Sequence, residues 1–174
     1  MNRFYVDAET DGLYGRFLSV AALVTDGNGR ELDRFYTALR IDCSDVRSEW
    51  LKRNVLPHLS HALSFVSTEE ELLDRFWEFW MKHREESDCI ANVPYPVETR
   101  LFTACVKKDV TAREFLGPFP LYDLCTLLAT RGYGADPDVA ALSGLGLTPH
   151  DAMDDVRMMA AVWEKLMESD RISE

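Results

Sequence analysis

The sequence is short of positive charge. Nineteen Lys and Arg stand against 30 Asp and Glu, a formal net charge of −11. Such a surface has no non-specific grip on long duplex DNA, so any contact with nucleic acid has to come from a local basic patch or from bound cations. Cysteine is also sparse. Cys43, Cys89, Cys105 and Cys125 lie far apart with no C-x-x-C pair, which excludes the usual zinc-ribbon and dithiol redox motifs and fits reduced thiols in the cytoplasm. No stretch approaches the about 20 apolar residues needed to span a bilayer, and Asp7 and Glu9 stand where a secretory leader would need an apolar run. There is no internal repeat and no low-complexity segment. With 47% hydrophobic residues in 174, the chain can bury one core and is too short for two ordinary domains, so a single domain spanning 1–174 is expected.

What is present is a regular succession of elements. Residues 3–9 alternate strictly, with Phe4, Val6 and Ala8 on one face and Tyr5, Asp7 and Glu9 on the other, which predicts a strand. Residues 17–25 are apolar and β-branched, Asp26-Gly27-Asn28-Gly29 is a tight-turn signal, and residues 31–39 resume as a strand, giving an antiparallel meander. A short helix is expected over 44–57, stopped at Pro57. Ser67-Thr68-Glu69-Glu70 reads as a capping box ahead of a helix striped with Leu72, Leu73, Phe76, Phe79 and Trp80. Cys89-Ile90-Ala91 then predicts a buried strand, and Pro96 opens a helix carrying Leu101, Phe102 and Cys105. Residues 120–123 and 124–130 repeat the strand-then-helix pattern. A Gly/Pro/Asp-rich connection follows from Arg131 to about Leu147, and a last helix is expected from Thr148-Pro149, capped by Asp151, to about Met167. Three antiparallel strands followed by parallel ones indicate an α/β fold with a mixed five-stranded sheet flanked by helices.

Chemistry concentrates in a few acidic residues. Asp7 and Glu9, two apart on a strand, point the same way, and like charges so close are unfavourable without a cation or solvent to neutralise them. An edge strand with one solvated face would explain the pair alone. Glu98 lies three, four and seven residues before Leu101, Phe102 and Cys105, on the face expected to meet the sheet. As a first-turn glutamate it also suits the helix dipole. On the last helix Asp155 sides with Ala152 and Met159 and is predicted to point inward, while Asp154, its competitor, sides with Met158 and Lys165. Oxygen ligands from separate elements suit Mg²⁺ or Mn²⁺. His150, five residues before Asp155, stands where a neutral imidazole could reach a metal-bound water as general base.

Taken together, these residues resemble the DEDDh branch of the ribonuclease H-like 3′→5′ exonucleases, which includes oligoribonuclease, RNase T and proofreading domains. The first motif looks like Phe4-Tyr5-Val6-Asp7-Ala8-Glu9-Thr10-Asp11-Gly12-Leu13, followed by the apolar strand Leu18–Ala22. The last looks like His150-Asp151-Ala152-Met153-Asp154-Asp155, the family's H-x-A-x-x-D, which selects Asp155 over Asp154. Tyr122–Leu127 is similar to the family's Asp-Thr-containing strand-to-helix junction. The second motif, normally Asn followed by Phe-Asp, departs here to Asn92-Val93-Pro94-Tyr95-Pro96-Val97-Glu98, leaving Glu98 as the nearest carboxylate. The resemblance implies a ribonuclease H-like fold and two Mg²⁺ or Mn²⁺ ions held by Asp7, Glu9, Glu98 and Asp155. It implies His150 as general base and stepwise release of nucleoside 5′-monophosphates from the 3′ ends of single-stranded RNA or DNA, with RNA favoured. Thr10, Gly12 and Leu13 then lie against the terminal nucleotide, and Tyr14, Tyr95 and Arg100 at the mouth of the site. The rival expectation is a nuclease-fold module that binds nucleic acid or protein without turnover. The aromatic helix around Phe76, Trp77, Phe79 and Trp80 is apolar around more than half its circumference, which makes a homodimer its expected companion.

Overall fold

The alternation of the first strand carries into three dimensions as two separate cores. In the computed structural model, which describes residues 1–172, β1 (Asn2–Thr10) runs through the middle of the sheet. Phe4, Val6 and Ala8 pack on one side, and Tyr5 on the other. Both faces of the strand are covered, so the second face is no solvated edge, and burying Asp7 and Glu9 among apolar neighbours there has a cost.

The sheet order is β4-β3-β2-β1-β5-β6. β2 (Phe17–Thr25) and β3 (Glu31–Leu39) form the antiparallel meander with β1. β5 (Ser87–Ala91) runs parallel to β1, and β6 (Leu121–Asp123) parallel to β5. The sixth strand corrects the expected five. β4 (Ser64–Val66) pairs parallel with β3 and has only three residues, too few to show a period.

Helices α2 (Glu69–His83) and α3 (Val97–Lys107) cover the Phe4 face; α5 (Leu124–Thr130) and α7 (Ala152–Ile172) cover the Tyr5 face. The segment expected as one helix over 44–57 is broken into a 3₁₀ turn at Cys43–Asp45, helix α1 (Glu49–Asn54) and a 3₁₀ turn at Leu56–His61, because Ser48 caps a new start and Pro57 interrupts the ladder. In α2 the cap lies one residue later than the sequence suggests. The Thr68 hydroxyl accepts from the Glu71 N–H, and Glu71 reaches back to the Ser67 N–H. Two further short helices are α4 (Val110–Arg113) and α6 (Val139–Ser143), the latter inside the connection expected to be irregular.

The aromatic side of α2 is absorbed within the chain. Phe76 and Trp80 meet Phe4 edge-on, Trp80 meets Phe102 edge-on and Phe76 meets it at a tilt, the Arg113 guanidinium lies over Trp77, and the Trp80 Nε1–H donates to the Leu116 carbonyl at 2.7 Å. This helix therefore does not by itself call for a second copy. All four cysteines are unpaired, and among the described residues no helix is long and apolar enough to cross a membrane.

Candidate active site

β1 and β5 are paired from Asn2–Tyr5 against Ser87–Ile90, and then they part. Beyond that point one side of β1 has no strand beside it, so a crevice opens at the carboxyl ends of two parallel strands, where open α/β sheets place ligand sites. The Ala8 N–H, left without a strand partner there, donates to Glu98 Oε1 at 3.2 Å. Glu98 is only 4% exposed and reaches in from the first turn of α3, on the inward face that its spacing predicts.

The last motif closes the crevice from the other side. Helix α7 starts at Ala152, not at Thr148, and the expected Thr148–Asp151 capping box is absent. Asp151 itself caps the helix, Oδ1 accepting from the Met153 N–H at 3.1 Å. His150, just before it, adopts a left-handed backbone (φ 67°), which ends any helical run on its N-terminal side. Its N–H donates to Asp155 Oδ2 at 2.9 Å, while Asp154 turns away to the Thr148 N–H and Arg157. Asp155, and not Asp154, lines the cleft as a result. The His150 ring lies edge-on to Trp50 of α1, centroids 4.8 Å apart, with Nδ1 4.0 Å from Glu9 Oε1. Ligating atoms of Glu9, His150 and Asp155 all fall within 4.8 Å of one another.

The electrostatics of this cluster are adverse for a protein alone. Burial, followed by repulsion from Asp155, Glu9, Glu98 and Asp151, drives the Asp7 carboxyl well above the usual range. Burial likewise raises Glu9 and Glu98 to about 8 and Asp155 to about 7. Asp7 Oδ2 is buried with no hydrogen-bond partner, although buried polar atoms are nearly always paired. A divalent cation removes both difficulties at once, and an all-oxygen set from three elements suits a hard ion. The residues present therefore fit a metal. For His150 the shift is downward, through burial and then the nearby His58, which favours the neutral imidazole.

These shifts set the pH dependence of stability without metal. A buried carboxyl with a raised folded value binds protons more tightly folded than unfolded, so stability falls as pH rises from about 4 towards 8. The metal-free protein is expected to unfold on the order of 5 °C lower at pH 8 than at pH 5.5, with Mn²⁺ abolishing the difference. Thermal unfolding with and without chelator measures it; a midpoint that rises with pH in chelator would contradict the cluster.

Around the carboxylates lies a cleft of about 240 Å³ lined by Asp7, Asn92, Asp138, Pro149, His150 and Asp155. Asn92 and Asp138 escape a reading based on carboxylates in periodic elements. Asn92 follows β5 with its Oδ1 buried and unpartnered, and its only sequence signal is its place at the head of the altered second motif. Asp138 sits in the long connection and caps α6. Asp123 caps α5 through the Cys125 N–H and also accepts from the N–H of Val93, whose backbone is left-handed (φ 51°), so it fixes the loop that carries Asn92.

The other expected contact residues separate into two groups. Thr10 is buried at the end of β1, and its carbonyl accepts from the N–H of Gly12, whose left-handed backbone (φ 79°) forms the turn. Leu13, Tyr14 and Tyr95 are exposed together, the two tyrosine hydroxyls 3.4 Å apart. Arg100 lies against the start of β2, beside the end of β1. Its guanidinium lies 4.3 Å from the Phe17 ring centroid, with Nε and Nη2 buried and unpaired.

No family model matches the sequence, and no curated protein matches it. Solved structures do. Exonuclease I from Methylocaldum szegediense superposes with a TM-score of 0.71 at 18% identity, over 98% of this chain and 41% of that one. The zinc-bound E. coli exonuclease I–ssDNA complex gives 0.69 at 16% identity, over the same 98% and 41%. E. coli exonuclease I with a dT13 oligonucleotide gives 0.69 at 14% identity, again over 98% and 41%. The chain thus spans about two fifths of the length of these proteins, and it shares their fold.

Proposed function

We propose that this protein is a divalent-metal-dependent 3′→5′ exonuclease acting on single-stranded nucleic acid. The observation that carries the reading is the convergence of Asp7, Glu9, Glu98 and Asp155, with the orphaned Asp7 Oδ2, at the switch point of the sheet beside His150. Likeness to exonuclease I structures that hold single-stranded DNA supports DNA as the first substrate to try, in place of the RNA preference expected from the motifs.

In this reading Asp7, Glu9, Glu98 and Asp155 would hold two Mg²⁺ or Mn²⁺ ions, which would supply water activation and charge neutralisation at the scissile phosphate when bound. The protein's own work lies in placement. Glu98 is fixed by the Ala8 N–H and Asp155 by the His150 N–H, so neither has to be ordered when substrate arrives. His150 Nδ1 or Nε2, neutral and resting against Trp50, takes the proton of the attacking water. Leu13, Tyr14 and Tyr95 offer apolar and aromatic surface to the last bases, a mode of grip that an acidic protein can use without neutralising many phosphates.

Incubation of 5′-labelled single-stranded DNA and RNA with Mn²⁺ or Mg²⁺ tests this. Stepwise shortening that stops in chelator supports the proposal, and full-length strands in every metal would sink it. Because Glu98 spans the gap to the Ala8 N–H with its extra methylene, Glu98→Asp is expected to lower turnover by roughly 10- to 100-fold, read as initial rate at saturating Mn²⁺.

A further inference from the structure

A second group of ligating side chains lies beside this cluster and supplies neither ligand nor proton acceptor to the proposed reaction. His58 and His61 stand three apart in the 3₁₀ turn Leu56–His61, a spacing that places both on one side, and their ring centroids are 5.9 Å apart. Facing them from the start of α7 is Asp151, 3% exposed, whose Oδ2 lies 2.5 Å from His61 Nδ1. One ligand atom from each of the three falls within 4.8 Å of the others. The turn itself is anchored, since the buried Tyr36 hydroxyl donates to the His58 carbonyl at 3.3 Å.

We propose that His58, His61 and Asp151 form a second cation site, selective for Zn²⁺ or a similar borderline transition-metal ion over Mg²⁺. Two imidazoles and one carboxylate are the donor set that favours such ions, and three protein ligands leave a fourth position for water. Tetrahedral zinc needs its donors about 3.3 Å apart, so His61 and Asp151 have to open from 2.5 Å while the wider pairs close from within 4.8 Å. The means are present. The His61 side chain is 61% exposed, so its ring can move off Asp151 Oδ2, whereas Asp151 is held in place by the cap it makes through Oδ1 and offers Oδ2 to the cation in place of that hydrogen bond. Ligation therefore costs the helix nothing. An occupied site ties the 56–61 turn to the residue adjoining His150, so it clamps the backbone that presents the proposed base and its partner Asp155.

The test is made where the neighbouring carboxylates no longer compete, in a full-length Asp7→Asn/Asp155→Asn protein, so its outcome is separate from that of the exonuclease reading. One equivalent of zinc is expected to remain through gel filtration, unmoved by excess Mg²⁺, and Co²⁺ is expected to give the visible absorption of a tetrahedral site. Zinc at about 100 times its Kd is expected to raise the unfolding midpoint by about 5 °C. Adding His61→Ala or His58→Ala is expected to weaken zinc binding about 100-fold or more and to remove the thermal shift. His61 is exposed, so its replacement leaves the fold intact, checked by an unchanged midpoint without zinc. No zinc retained in the parent, or equal affinity after either histidine is replaced, overturns the proposal.

Discussion

Asp7→Asn is expected to lower metal-dependent strand shortening by at least about 10³-fold while raising the metal-free unfolding midpoint by about 5 °C. The two effects have one cause. Asp7 carries repulsion from Asp155, Glu9, Glu98 and Asp151 on top of its burial, and it keeps one oxygen without a protein partner. A neutral amide of the same shape removes the central charge and relieves its neighbours. It also removes the ligand that the cation would share between both sides of the crevice. Initial rates on labelled single-stranded DNA and differential scanning in chelator give the two readouts. Loss of activity together with loss of stability would mean that Asp7 is a structural residue, and unchanged activity would remove the metal site as drawn.

His150→Ala is expected to lower turnover by about 10²- to 10⁴-fold, the range of a positioned general base, with little change in metal affinity. The pH profile carries more information than the loss itself. The base works only when neutral, so activity falls as pH drops through the folded value of His150. Burial and His58 hold that value below the ordinary 6.5 of an imidazole, and bound cations push it the same way. Wild-type kcat is therefore expected to stay level from pH 8 down to about 6.5 and to fall only below that. In His150→Ala the acid limb should vanish. An unaltered acid limb in the variant would assign the titration to another group and leave His150 as a positioning residue.

Much of the site was legible because it lies in periodic elements. Alternation of period two set Asp7 and Glu9 on one face, and helical spacing turned Glu98 inward ahead of Leu101 and Phe102, a placement its 4% exposure bears out. The order of strands and helices was likewise written in apolar stripes and turn residues. The strand-to-helix junction at Asp123 was visible too, though not its hold on the Val93 N–H thirty residues away. Where the reading slipped, the signal was short or non-periodic. β4 has three residues, and the break at 43–61 and the late start of α7 at Ala152 depend on which of several polar residues wins the cap.

By itself, then, the sequence determined which residues carry charge into the fold and on which face of each element they stand, because side-chain direction along a strand or helix is a local property. Only the tertiary structure decided where those faces meet. The parting of β1 from β5 opens the crevice, the left-handed turn at His150 brings its N–H to Asp155 and not to Asp154, and Asn92 and Asp138 join the cleft from loops without periodicity. The pairing of His61 with Asp151 across ninety residues of chain belongs to the same class. Contacts between elements depend on how the layers dock, which no local period records.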